Sequence, residues 1–280
     1  MTAKAFAPGN VSCIFRVIDN KNPLKKHSLG VGFTVNKGVY VAVSFNKTNS
    51  MYFNNRKLKL PTVTSVIKKL TDKPVKVKIK SQLPLGAGFG VTGACAIATA
   101  YALGRLLKLK KNKKELAMVA HMAEVKNHTG LGDVGGQFNG GFNAKFTQGQ
   151  PLKGKSLGIT DKNIYYKFFS KLETKKIINN KNKKIKVNKA GDKSLKSIKK
   201  IINNKKINKK ELLKNIIEAS KEFSADSGLM VDKRVKNLVK KIENKGGTAS
   251  MIMLGNAVFS DTWFSGSKKI KISSKGACLL

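Results

Sequence analysis

Apolar and polar positions alternate most plainly at Val75-Lys76-Val77-Lys78-Ile79-Lys80, where the apolar residues share one side and three lysines the other. A period of two predicts a half-buried strand. Val39-Tyr40-Val41-Ala42-Val43-Ser44-Phe45 predicts another. The first of these runs into a Gly-rich stretch, and the chain from Thr92 to Leu109 is then Ala- and Leu-rich without Pro, which predicts a helix. Asn112 is placed to cap a further helix, with Glu115 three residues later, running to about Asn127 and ending before Thr129-Gly130. Residues 211–223 and 229–243 read as two amphipathic helices, and Ser250–Leu254, Gly255-Asn256 and Ala257–Phe259 as strand, turn and strand. The sum is an α+β protein of two lobes, residues 1–150 and 151–280. The second lobe holds a Lys-rich segment, 171–210, whose apolar residues come in pairs, Ile177-Ile178 and Ile201-Ile202. That pattern suits exposed helices or edge strands better than a buried element, and disorder is open.

Composition narrows the function classes. The 280 residues are 41% hydrophobic, enough for a real core. No run of about 18 apolar residues predicts a spanning helix, and Met1 to Gly9 is too short and interrupted for a signal peptide. Cys278 stands third from the end, so the C-terminus is not a prenylation box. Cys13, Cys95 and Cys278 form no CxxC pair, which argues against a disulfide scaffold or a structural zinc site. A cytoplasmic location is expected. The net charge of +41 is spread over most of the chain. It reads as a global bias toward Lys rather than a dedicated polyanion surface, so nucleic-acid binding is possible but not favoured.

Three places carry chemistry. Pro84-Leu85-Gly86-Ala87-Gly88-Phe89-Gly90-Val91-Thr92-Gly93-Ala94 sets four glycines between a strand and a helix. Glycine lets the backbone approach a ligand, and successive N–H groups at a helix start make an anion nest suited to a triphosphate. The spacing is neither that of a P-loop nor a good dinucleotide fingerprint, and a plain tight turn is the alternative. His121 and Glu124 share a helix face. The carboxylate suits Mg²⁺, against a solvated Glu and a packed His. Asp133, between Gly130, Gly132, Gly135 and Gly136, suits an irregular loop that aims a carboxylate at an attacking hydroxyl, against a turn-forming Asp.

In order and content these pieces resemble the GHMP kinases, the family of galactokinase and of homoserine, mevalonate and phosphomevalonate kinases. The second family motif, Pro-x-x-x-Gly-Leu/Phe-Gly-x-Ser-x-Ala, stands here at 84–94 with Thr92 at the Ser position. The first, usually Ala-Pro-Gly-Lys, reads Ala7-Pro8-Gly9-Asn10, so Asp133 has no ammonium from that position. The third, at 246–259, has lost most of its glycines. With His121-x-x-Glu124 and Thr129 to Val134, these departures resemble an archaeal branch that phosphorylates the 4-hydroxyl of pantoate with ATP on the way to coenzyme A.

The resemblance implies an N-terminal lobe like ribosomal protein S5 domain 2, holding ATP, and a ferredoxin-like C-terminal lobe. It implies that residues 84–92 bind ATP, that Glu124 and Thr92 hold Mg²⁺ and that Asp133 is the catalytic base. An acceptor carboxylate calls for a cation or donors, for which His121, Lys145 and Ser28 are the candidates, Ser28 following His27 and preceding Gly30-Val31-Gly32. Homoserine, shikimate or mevalonate is the alternative acceptor, and a non-catalytic basic binding protein a more distant one. A small hydroxy acid and a second copy of the chain are the expected partners, with no membrane.

Overall fold

The computed structural model describes residues 1–171, 180–204 and 206–280. In the strand Val75–Ser81 (β5), Val75, Val77 and Ile79 are buried while Lys78 and Lys80 are exposed, as the alternation predicts. Around it lie Thr2–Ile18 (β1), His27–Phe45 (β2), Ser50–Phe53 (β3) and Arg56–Lys57 (β4), in the order β12-β1-β2-β5-β3-β4, where β12 is the terminal Cys278–Leu279. Phe142–Lys145 (β6) pairs with β2, and Lys155–Ser156 (β7) with β6. β2 is much longer than the expected Val39–Phe45. β1 shows no alternation because nearly every residue in it is buried, on both faces of the sheet. Its pairing with β2 slips between Pro8 and Asn10 and again between Ser12 and Ile14.

Helices Pro61–Leu70 (α1), Val91–Leu106 (α2) and Lys113–Asn127 (α3) pack together, and α2 lies on the sheet. α2 is almost wholly buried, which its Ala and Gly content permits. The cap on α3 is as expected: Asn112 Oδ1 accepts the Glu115 N–H at 2.9 Å, and Glu115 Oε2 accepts the Asn112 N–H at 2.7 Å. Asp133 does not sit in an irregular loop. It is the first residue of a short helix, Asp133–Asn139 (α4), and the side-chain-free Gly135 and Gly136 let that helix press against Pro151 and Asn10.

The second lobe has the antiparallel sheet β11-β8-β10-β9, from Asn163–Ser170 (β8), Ala249–Met251 (β9), Asn256–Ser260 (β10) and Lys268–Lys271 (β11). Numbered along the chain this is the 4-1-3-2 order of a ferredoxin-like sheet, with the loop 261–267 as its second crossover instead of a helix. Lys209–Asp226 (α6) and Lys233–Glu243 (α7) match the two amphipathic helices, α7 starting late because Asp232 caps it. Within the Lys-rich segment, Lys181–Asn203 (α5) is one amphipathic helix that buries Val187, Ala190, Leu195 and Ile198. It is not a detached element. A Cβ at Gly191 would lie 2.6 Å from the Phe15 carbonyl, and the Asn188 amide bonds both backbone groups of Val17, so α5 is fastened to β1. Ile201-Ile202 is half-buried, and Ile177-Ile178 lies outside the described residues. The chain crosses from the first sheet to the second between β7 and β8 and returns at its end, where β12 pairs with β1. No helix among the described residues is long and apolar enough to cross a membrane.

Candidate active site

The Gly-rich loop leaves β5 and enters α2 through Gly86, Gly88 and Gly90, at φ 81°, 82° and 59°. These are left-handed values that glycine adopts without strain. Gly90 is the residue before the helix, and no side chain caps it. Among the described residues no side chain takes up the first-turn N–H groups, which suits them to a guest, and the helix dipole makes an anion the favoured one. Three contacts brace the loop. The Phe89 carbonyl accepts the Asn10 N–H at 2.9 Å, and the buried Phe89 ring meets Tyr166 edge-on at 4.9 Å. The turn between β9 and β10 backs it: a Cβ on Gly255 would overlap the Ala87 backbone, and one on Gly88 would lie 2.6 Å from the Met253 carbonyl. The loss of glycines in this third segment thus leaves Gly255 where contact is closest.

The loop lines a cleft of about 500 Å³ through Leu85, Gly86 and residues 88–92. Pro84 and Ala87 are not part of that lining. Across the cleft lie residues 128–133, with Asp133 against the loop: a Cβ on Gly90 would lie 2.7 Å from the Asp133 carboxyl carbon. Asp133 Oδ1 accepts a hydrogen bond from Asn10 Nδ2 at 2.9 Å. Burial raises the Asp133 pKa above its ordinary value, while the Asn10 bond and the positive charge of Lys145 act to lower it.

Glu124 lies beneath the cleft floor, 1% exposed. Its Oε1 accepts the Thr129 hydroxyl at 2.6 Å, and that hydroxyl is 3.1 Å from the hydroxyl of Thr62 on α1. Its Oε2 is buried without a hydrogen-bond partner among the described residues. Gly130 and Gly93 leave it room, since a Cβ on Gly130 would overlap Oε2 and one on Gly93 would lie 3.3 Å away. Burial, then the nearby charge of Asp133, pushes the Glu124 pKa up to about 7 against the hydroxyls of Thr129, Thr92 and Thr62. An unpartnered buried carboxylate oxygen is costly without a proton or a cation. With the Thr92 hydroxyl in the cleft lining, the donor set is all oxygen and fits a hard divalent cation that takes its other ligands from phosphates and water.

A smaller cavity of about 50 Å³ adjoins the cleft and shares Ser12, Phe15, Ser28 and Gly132 with it. It adds Asn10, Gly30 to Gly32 and Lys145. Lys145 ends β6 opposite Gly30, and its ammonium donates to the Pro151 carbonyl. Burial lowers its pKa to about 8, against the pull of Asp133. Ser28 and Lys145 thus share one cavity beside Asp133, whereas His121 lines neither cavity. His121 is 1% exposed, and its Nε2 donates to the Lys26 carbonyl at 3.0 Å, two residues before Ser28. Burial lowers its pKa to about 4. His27 Nε2 accepts the Gly149 N–H at 3.0 Å, which places its proton on Nδ1 facing the Ser28 carbonyl.

Several site residues carry no sequence signal. Thr62 and Gln137, whose amide donates to the Gly90 carbonyl at 2.8 Å, are ordinary polar residues until the fold sets them beside Thr129 and the loop, and Thr129 stood out only as the head of the Gly-rich stretch before Asp133, not as a partner of Glu124. Asn10 was legible only as a missing lysine.

The profile of the GHMP kinases N terminal domain matches residues 60–141. The pantoate kinase of Methanocaldococcus jannaschii is 32% identical over 259 residues, covering 91% of this chain and 90% of that protein. The chain belongs to the GHMP kinase family. The pantoate kinase of Methanospirillum hungatei is 25% identical over 265 residues, covering 91% of this chain and 86% of its own. A solved structure described as a phosphotransferase related to the CoA biosynthesis pathway superposes with a TM-score of 0.83 at 23% identity, covering 100% of this chain and 99% of that one. This GHMP kinase is an ATP-dependent small-molecule kinase, and its two-lobed fold is that of the family. The matched stretch contains the loop, Thr92, Glu124 and Asp133. Asn10, Ser28, Lys145 and the 252–255 turn come from outside it.

Proposed function

We propose that this GHMP kinase transfers the γ-phosphoryl group of ATP to the 4-hydroxyl of pantoate, giving ADP and 4-phosphopantoate for coenzyme A synthesis. The observation that carries the reading is the junction of the two cavities at Ser12, Phe15, Ser28 and Gly132, next to Asp133 in the cleft lining. A cleft edged by the start of a helix, with the Asp133 carboxylate in its lining, meets a small pocket holding Lys145 and Ser28, and Asp133 and Lys145 feel each other's charge. Relatives named pantoate kinases that align over nine-tenths of the chain support the same acceptor.

In this reading the first-turn N–H groups of α2 and the backbone of 86–90 receive phosphate oxygens. Asp133 takes the proton of the acceptor hydroxyl as its oxygen bonds to the γ-phosphorus and the bond to the ADP oxygen breaks. Glu124 and Thr92 would hold Mg²⁺, which when bound supplies neutralisation of the phosphate charge. The Lys145 ammonium pairs with the acceptor carboxylate, and the Ser28 hydroxyl donates beside it. Phosphoryl transfer depends mostly on positioning and charge, so these few groups suffice. Residues 1–150 act as the ATP-binding lobe and 151–280 as the second lobe, in a cytoplasmic homodimer.

ADP release with pantoate, homoserine, shikimate and mevalonate, with and without Mg²⁺, tests the acceptor. Mg²⁺-dependent turnover confined to pantoate supports it, and turnover with another acceptor but not pantoate sinks it.

A further inference from the structure

Asn10 is 4% exposed and spends both its backbone and its side chain on the active site. Its N–H donates to the Phe89 carbonyl in the phosphate loop, and its side-chain amide donates to Asp133 Oδ1, 123 positions away in sequence, at 2.9 Å. The chain is shaped to allow this. The β1–β2 register slips between Pro8 and Asn10, and such a bulge re-aims the side chain that follows it. On the far side, Gly136 lacks the Cβ that would overlap the Asn10 amide oxygen. Gln137, one turn along α4 from Asp133, adds a second tie through its bond to the Gly90 carbonyl. One buried residue therefore fixes the distance between the backbone that holds phosphate and the carboxylate that faces it.

We propose that Asn10 is a positioning residue: it sets the Asp133 carboxylate in register with the phosphate loop, a mechanical task that needs a neutral donor and leaves the positive charge near Asp133 to Lys145. The proposal rests on the reading of Asp133 as the base. A neutral amide in this place holds one rotamer of the carboxylate and lowers its affinity for a proton, without adding an ammonium beside the acceptor pocket that Asn10 also lines. The other titratable groups facing Asp133 are Glu124, whose charge repels, and Lys145, whose charge attracts.

The test compares Asn10→Ala, Asn10→Asp and Asp133→Asn in the full-length protein, by ADP release across pH 5 to 9 and by thermal melting. Asn10→Asp keeps the shape and the backbone bond to Phe89 while replacing the neutral amide donor with a second carboxyl that must share a proton with Asp133. A merely structural Asn10 predicts that it is the milder change. Positioning predicts the reverse. Asn10→Ala should lose on the order of 10²-fold in kcat with both KM values nearly unchanged, the scale of a misplaced reacting group. Asn10→Asp should lose more, and in both variants the acid limb of the pH–rate profile should move to higher pH. Wild-type kcat and acid limb in folded Asn10→Asp, with Asp133→Asn inactive, overturn the proposal and leave the base reading standing. Full turnover by Asp133→Asn overturns the base reading itself. Melting separates a variant that does not fold, and Asn10→Ser, which retains a short donor, should then recover part of kcat. No recovery in a folded Asn10→Ser counts against the proposal.

Discussion

The Thr129 hydroxyl donates to Oε1 of Glu124 at 2.6 Å, while Oε2 of the same buried carboxylate has no hydrogen-bond partner among the described residues. One oxygen is fixed by the protein and the other is left for a cation or a proton.

Replacing Glu124 by Gln keeps the volume and removes the charge. Burial holds the Glu124 pKa near 7 in the folded chain against 4.5 for the free group. The folded state therefore binds the extra proton between those values, and this group's contribution to stability falls as pH rises through the window. At pH 8 without Mg²⁺, Glu124→Gln should melt above the wild type, because an unpartnered buried charge is gone. Mg²⁺ added to the ATP-bound protein should further raise the wild-type melting temperature and leave that of the variant nearly unmoved. Turnover should fall by on the order of 10²-fold or more. An equal Mg²⁺ response in both proteins refutes the metal role.

Gly90→Ala places a Cβ 2.7 Å from the Asp133 carboxyl carbon, at φ 59°. The backbone penalty alone is about 1 kcal/mol. The contact adds displacement of the Asp133 carboxylate, the proposed base, so kcat should fall far more than the melting temperature suggests. Gly246→Ala is the control: its φ is 78°, and a Cβ there meets nothing within 4 Å. It should cost similar stability and no activity. Matching activity losses in the two variants would contradict the proximity of base and loop.

How far the sequence revealed these relationships depends on distance along the chain. β5 was readable because one face of it is wet, and α3 because Asn112 and Glu115 announce its start within four residues. β1 was not, since a strand buried on both faces has no alternation to show. α4 was hidden by its glycines, which a short helix tolerates here because they make room for Asn10 and Lys145. The Gly-rich loop, Glu124 and Asp133 lie within fifty residues of one another and were visible as a group. Their partners were not: Asn10 reaches Asp133 and Thr62 reaches Thr129 only across the tertiary fold. His121 shares a helix face with Glu124, yet the fold turns its ring toward the Lys26 carbonyl rather than into either cavity.

His121 gives a stability signal of the opposite sign to that of Glu124. Burial, then the charge of Lys145, lowers its pKa from 6.5 to about 4. The unfolded chain therefore binds more protons between those values, so stability is full above 6.5 and is lost as pH falls toward 4. The loss is on the order of 3 kcal/mol. His121→Gln retains a donor for the Lys26 carbonyl and does not titrate, so its melting temperature should drop less than that of the wild type between pH 7 and pH 4.5. Parallel curves would show that His121 does not carry the acid sensitivity.

Among the described residues Lys145 is the cation lining the small pocket, and its selectivity is the sharpest check on the proposed acceptor site. Lys145→Met preserves length and packing while removing the charge. A charge-assisted hydrogen bond is worth about 1.5 to 3 kcal/mol, so the KM for pantoate should rise roughly 10- to 100-fold. The KM for ATP should change little, because Lys145 lines the small cavity and not the cleft. The pH dependence adds a second arm. With its pKa lowered to about 8, the wild-type ammonium loses its proton as pH rises past that value, and the pantoate KM should climb between pH 7 and 9. The Met variant has no ammonium to lose, so its pantoate KM should be high and flat over the same range. Equal rises in the two KM values, or a pH-dependent KM that survives in Lys145→Met, would remove Lys145 from acceptor binding and leave the Ser28 side of the pocket to hold the carboxylate.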